Sequence, residues 1–110
     1  MKAEIRNKVE LSGFIGQNPE VRTFDNGIKK ASFSLATNDG YKSKSGEWVN
    51  ITNWHNIIAF GKAVEQIEQK VKKGSKVSVE GKINYREYTD KLGVKRNVTE
   101  ISVFQVQIID

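Results

Sequence analysis

Repeated runs in which apolar and polar residues alternate, one helix-spaced stretch after the third strand, and glycines inside two of the runs predict an all-β domain. The expected architecture is a five-stranded, partly open Greek-key barrel with one helix between strands 3 and 4.

Val9, Leu11, Gly13 and Ile15 carry the first run, alternating with Lys8, Glu10, Ser12 and Phe14. The segment GQNPE then breaks it. Asp25-Asn26-Gly27 sits between VRTF and KKASFSLAT, and Asn-Gly between strand-like runs is the strongest short-range hairpin signal. Beyond that turn, Ala31, Phe33 and Leu35 are expected to face inward, with Lys30, Ser32 and Ser34 outward. From Thr37 to Glu47 every residue except Tyr41 is polar or glycine, which predicts a long exposed hairpin connection.

The third strand is expected over Trp48 to Phe60. If its aliphatic odd positions Val49, Ile51, Ile57 and Ala59 fill the barrel, Trp54 and Phe60 lie on the opposite face with Ile58 between them. Trp48 opens that strand, either as a staple at the base of the loop or as a ring that touches ligand. Val64, Ile67 and Val71 then recur at helical spacing and Gly74 supplies a stop, so one helix of about three turns fits. Alternation resumes with Val77, Val79, Gly81, Ile83 and Tyr85 on one side and Lys82, Asn84, Arg86 and Tyr88 on the other. Asp90 to Gly93 makes a turn, and Val98 to Ile109 returns as the last strand. Five strands with the helix in that place follow the order of an OB-fold, and Gly13 and Gly81 fall where a small barrel must bend.

A chain of 110 residues is expected to form one domain, over 1–110, with one modest core. No apolar run approaches the ~20 residues that cross a bilayer, so no membrane partner is expected. The start, MKAEIRNKVELSG, lacks the apolar stretch of a secretory signal. A cytoplasmic location follows, and there the acceptor-like triplets at Asn50 and Asn97 carry no weight. Without cysteine there is no disulfide framework, no thiolate metal site and no Cys nucleophile. Eighteen Lys and Arg against thirteen Asp and Glu leave a formal charge of +5, which favours polyanionic partners.

Where the cations sit sharpens that statement. Trp54 and Phe60 are expected on the outer face, Tyr88 shares the outward parity of Arg86, and Tyr41 has no apolar neighbours to bury it. Each of these rings is close in sequence to cations: Lys42 and Lys44, Lys62, Arg86, or Lys95 and Arg96 across the turn. Exposed rings are a liability unless a ligand covers them. Bases cover them well, because every base has a π-face and stacking is worth about 1–3 kcal/mol per base regardless of sequence. Lys and Arg between the rings neutralise the connecting phosphates. Duplex bases are already stacked, so the expected ligand is a single strand.

The stretches GFIGQNPEVR, NGIKKASFSLATN, TNWHNIIAFGKAVE and KKGSKVSVEGKINYREYTDKLGVKR together resemble the bacterial single-stranded DNA-binding protein family, in order, from about Asn7 to Val106. The resemblance implies an OB-fold that assembles into a homotetramer and wraps single-stranded DNA in replication, recombination and repair, associated with the nucleoid. It places the base-stacking aromatics at Tyr41, Trp54, Phe60 and Tyr88, with Tyr at the first and last where many members carry Trp. Phosphate-contacting cations map onto Lys8, Lys44, Lys62, Lys73 and Arg86, whereas Glu87 stands where a basic residue is common. It also puts His55 near a subunit interface, a structural role. Family members usually continue into a flexible tail with an acidic tip that recruits replication and repair enzymes. This chain stops at Asp110 with no C-terminal tail present, so it reads as truncated or naturally short, and partners reached through a tail are not assumed.

An enzyme is the rival of a different class. Phe60-Gly61-Lys62 invites comparison with a phosphate-binding loop, but that motif needs Gly five residues before its Gly-Lys, where Asn56 stands. No nucleophile elbow or paired-His motif is present, and lone His55 has no second His or Cys as co-ligand. No catalytic residue, metal or cofactor is expected. An RNA-binding or oligosaccharide-binding OB module is the alternative within the fold, which hosts all three ligands.

Overall fold

The computed structural model describes residues 6–109. Residues 1–5 and 110, which belong to the domain expected over 1–110, lie outside the described residues. The elements in chain order are β1 (Val9–Ile15), β2 (Glu20–Thr23), β3 (Lys29–Asn38), β4 (Tyr41–Lys42), β5 (Trp48–Val49), β6 (Thr52–Phe60), α1 (Lys62–Lys70), β7 (Lys76–Thr89) and β8 (Lys95–Ile108).

The main sheet runs β1-β7-β8-β6-β3-β2, and a further antiparallel pairing of β1 with β3 brings it round on itself. That closure is short: Phe14 faces Ala36 and Ile15 faces Leu35. The parallel pairing of β6 with β8, Ile57 opposite Ile101 and Ala59 opposite Val103, completes the ring. Five long strands thus form an OB barrel, and β2 is an added edge strand paired to β3. The Asn-Gly hairpin joins them, with Gly27 at φ 84° and the Phe24 amide donating to the Ile28 carbonyl.

Alternation places Ala31, Phe33, Leu35, Ile57, Ala59, Val77 and Val79 inside, where they meet Ile15, Ile101 and Val103 in one buried cluster. Ala63, Val64 and Ile67 of α1 join the same cluster. Two glycines permit the strands to come this close. A Cβ on Gly13 would overlap the Ala36 carbonyl oxygen, and one on Gly81 would overlap the Ser102 carbonyl and lie 2.7 Å from Val103 Cα. Gly81 also lies at a register shift in the β7–β8 ladder, where Phe104 of β8 is left without a partner and the pairing bends round the barrel.

Several expected boundaries and orientations are corrected. The third strand does not run unbroken from Trp48: β5 ends at Val49 and β6 starts at Thr52, so Ile51 is exposed and Val49 only half-buried instead of filling the barrel. Tyr41 lies in a short strand, β4, and not in an irregular loop. The last strand begins three residues earlier than expected, at Lys95 rather than Val98, because it pairs with β7 up to the turn, Thr89 opposite Lys95. Tyr85 has inward parity yet is exposed. Its strand has by then left the barrel as a long hairpin with β8, and no core remains on that side. Ile58 is the converse, with outward parity but buried. It lies on the floor of a cleft whose walls come from distant parts of the chain.

Candidate nucleic-acid interface

The site is built on the β3–β6 ladder. In an antiparallel pair, residues directly opposite share a side and successive residues alternate. Lys30 stands opposite Phe60, Ser32 opposite Ile58, Ser34 opposite Asn56 and Ala36 opposite Trp54, so the even positions make one outward side.

Trp54 is 61% exposed. A Cβ on Gly16 would lie 2.5 Å from its ring, so only a glycine at 16 lets the indole rest against the β1 end of the sheet with the rest of its surface open. Ala36 opposite is small and leaves that surface clear. Phe60 is exposed at the other end of β6, with Lys30 Nζ 6.0 Å from its ring centroid. Tyr88 is exposed on β7, with the Arg86 guanidinium 5.7 Å from its ring. Tyr41, also exposed, stands opposite Val49 and takes the odd side of the ladder, away from Trp54 and Phe60. Trp48 is exposed as well, on the even side opposite Lys42.

Along β6, between Trp54 and Phe60, runs a cleft of about 350 Å³. Ser32, Ser34, Asn56 and Ile58 form its floor, Gln17, Asn18 and Glu20 one wall, and Arg86, Val98 and Glu100 of the β7–β8 hairpin the other. This is the strand face, flanked by loops, on which OB-folds bind oligonucleotides and oligosaccharides. The Lys73 amide donates to Asn18 Oδ1 at 2.8 Å and ties the first wall to the segment after α1.

Glu100 is only 5% exposed, and both its oxygens accept hydrogen bonds from Arg86, from Nε and the terminal nitrogen, each at 3.2 Å. That pairing raises the Arg86 pKa further and holds its guanidinium at the rim, over Tyr88. Other expected cations are also engaged. Lys8 bridges Glu10 (3.1 Å) and Glu80 (3.4 Å), which raise its pKa, and it is not among the residues lining the cleft. Lys95 lies 3.7 Å from Glu87. Arg96 donates to Asp90 at 3.0 Å. The Asp90 carboxyl, accepting from the Val94 and Leu92 amides as well as from Arg96, is held below the usual carboxylate range. It fixes the turn at the hairpin tip.

Among the described residues, Lys42, Lys44, Lys62 and Lys73 make no ion pair, so their charge is free for a polyanion. Lys30, which lies over Phe60, and Glu100, beneath Arg86, were not singled out in the sequence. Pairing the two arms of the hairpin residue by residue would have found Lys30. Nothing local marks Glu100, because its burial depends on β7.

His55 is half-buried on the odd side, its Nε2 2.8 Å from Thr37 Oγ1. The Thr37 hydroxyl donates to Asp39 at 3.2 Å, and Asn53 donates to the same carboxylate at 2.7 Å. With the hydroxyl committed to Asp39, Nε2 carries the imidazole proton. Among the described residues no group of His, Cys, Asp or Glu could hold a metal ion, and no helix is long and apolar enough to cross a membrane.

Comparison with known proteins places these features in a wider set. The model of the single-strand binding protein family matches residues 6–109. A Bacteroides thetaiotaomicron protein named single-stranded DNA-binding protein is 43% identical over 105 residues, covering 94% of this chain and 65% of the relative. The chain therefore spans just under two thirds of the length of that relative. Among solved structures, a chain of the Plasmodium falciparum SSB complex with ssDNA superposes with a TM-score of 0.88 at 29% identity, covering 100% of both chains. A deletion mutant of the single-stranded DNA binding protein from Thermus aquaticus superposes at 0.84 with 23% identity, covering 96% of this chain and 51% of the other, and attests the fold alone.

Proposed function

This chain belongs to the single-strand binding protein family, and on that footing we propose that its OB domain is non-enzymatic and binds single-stranded DNA without regard to sequence. It protects exposed strands during replication, recombination and repair, in the cytoplasm at the nucleoid, and works as a homotetramer. The observation that carries this reading is the outward side of β6: Trp54 and Phe60 stand clear of the core on either side of one polar cleft, with the Lys30 ammonium over Phe60. Bases of an unpaired strand gain by stacking on those rings, while duplex bases have already made that contact with each other. Tyr88 extends the platform, and Tyr41, on the other side of the β4–β5 ribbon, offers a separate stacking surface. Lys42, Lys44, Lys62 and Lys73 neutralise phosphates directly, and Lys8, Arg86, Lys95 and Arg96 do so in competition with their carboxylate partners. His55 and its polar network serve a subunit contact.

Competition among poly(dT), poly(U) and a neutral glycan for quenching of tryptophan fluorescence tests the ligand class. Poly(dT) is expected to displace the other two; preferential binding of poly(U) or the glycan would assign the chain to the alternative OB ligands. Sedimentation with and without oligo(dT) reports assembly, and a protein that stays monomeric at every concentration would contradict the tetramer.

The cations carry their own prediction. Lys62→Ala removes one unpaired charge beside Phe60, so the slope of log affinity against log salt is expected to fall in magnitude by about 0.7. An unchanged slope in titrations across a salt series would remove Lys62 from the site.

A further inference from the structure

We propose that Trp48 is a further base-stacking residue, carrying a bound single strand from Trp54 outward along the β4–β5 ribbon. The proposal rests on the reading of this chain as a single-strand binder.

The ribbon is not a separate hairpin. Asn38 stands opposite Thr52 at the end of the β3–β6 ladder, and Tyr41 opposite Val49 and Lys42 opposite Trp48 continue the same register. Backbone bonds bridge the gap and close the tip: the Asp39 amide donates to the Ile51 carbonyl at 2.7 Å and the Ser43 amide to the Glu47 carbonyl at 2.8 Å. One long, twisted hairpin therefore runs from Lys29 to Phe60, and its even side presents Phe60, Trp54 and Trp48 in succession. Adjacent rings are six positions apart in sequence, roughly 20 Å along a strand.

Trp48 also shares the construction of Trp54. A Cβ on Gly40 would lie 2.5 Å from Trp48 Cε2 and 2.6 Å from Nε1, so this indole too rests against a glycine backbone. Its N–H donates to Asn50 Oδ1 at 2.6 Å, which fixes the ring's orientation and satisfies its one polar atom. The indole is 63% exposed, and Trp48 is absent from the buried cluster. Lys42, unpaired among the described residues, stands directly across the ladder from it. A ring seated on one side, open on the other and flanked by a free ammonium is what stacking on an unpaired base requires.

Trp48 and Trp54 are the chain's two tryptophans, so Trp54→Phe leaves Trp48 as the only indole. Its emission would be followed at low salt during titration with poly(dT), with binding followed independently by the anisotropy of a labelled oligo(dT). Quenching that saturates with the anisotropy is the expected result; unchanged emission from a saturated protein would overturn the proposal. A second arm does not depend on the first. Trp48→Ala is expected to raise the Kd for oligo(dT) about five-fold or more with the melting curve unchanged, and wild-type affinity in that variant would also overturn it. Failure of the wild-type protein to bind labelled oligo(dT) at all would instead remove the underlying reading, and the proposal with it.

Discussion

Trp54→Ala and Phe60→Ala are each expected to weaken binding of oligo(dT) by about 1–3 kcal/mol, which is roughly five- to 150-fold in Kd, while the domain stays folded. The reason is positional. Both rings are exposed and neither belongs to the buried cluster, so truncation removes stacking surface without opening a cavity in the core. The two sites stand at opposite ends of β6, six positions and roughly 20 Å apart. Their effects are therefore expected to add, and the double variant to lose about 2–6 kcal/mol in all. Fluorescence anisotropy at fixed salt, with thermal melts of each variant, checks this. Variants that melt well below the wild type while the folded fraction keeps its affinity would assign these rings to the fold.

Gly81→Ala and Gly13→Ala are expected to have the largest effects on stability. A Cβ at either position meets a backbone oxygen of the neighbouring strand, Ser102 for Gly81 and Ala36 for Gly13. A flexible side chain could move aside, but a carbonyl held in a sheet cannot move without breaking the pairing that closes the barrel. The cost is expected at or above the upper end of the range of about 1–3 kcal/mol for overpacking, a fall in Tm of roughly 12 °C or more for a domain of this size. Gly27→Ala is a useful contrast. Its φ of 84° makes alanine strained there, yet no atom lies within 4 Å of the added carbon. Only the turn suffers, and the loss is expected to be smaller. Calorimetry of the three variants at one protein concentration distinguishes barrel closure from turn strain.

Much of this was legible in the amino-acid sequence because alternation is a local property. Ala31, Phe33 and Leu35 announce an inner face by their spacing alone, and the parity of Trp54 and Phe60 follows from that of Ile57 and Ala59. The glycines at 13 and 81 interrupt strand patterns where the backbones approach most closely. What failed depends on partners far away in the chain. Ile58 has the parity of an exposed residue, but Arg86, Val98 and Glu100, contributed by a hairpin that begins beyond α1, rise over it. Tyr85 has the parity of a core residue, yet β7 outruns the barrel and leaves it in water. The cations show the same limit. A lysine run declares charge but not whether a carboxylate has claimed it, and Lys8, Arg86, Lys95 and Arg96 each prove to be paired.

The claim on which the functional account stands is that the open rings of this barrel accept bases only when those bases are free of their own partners. Competition for a labelled oligonucleotide, between an unlabelled single strand and the same sequence annealed to its complement, tests it most directly. The single strand is expected to displace the label at far lower concentration, and the gap to persist as salt is raised, because phosphate contacts weaken for both while stacking is available to one. Equal displacement by the annealed duplex would mean that charge alone holds the ligand, and would contradict the account.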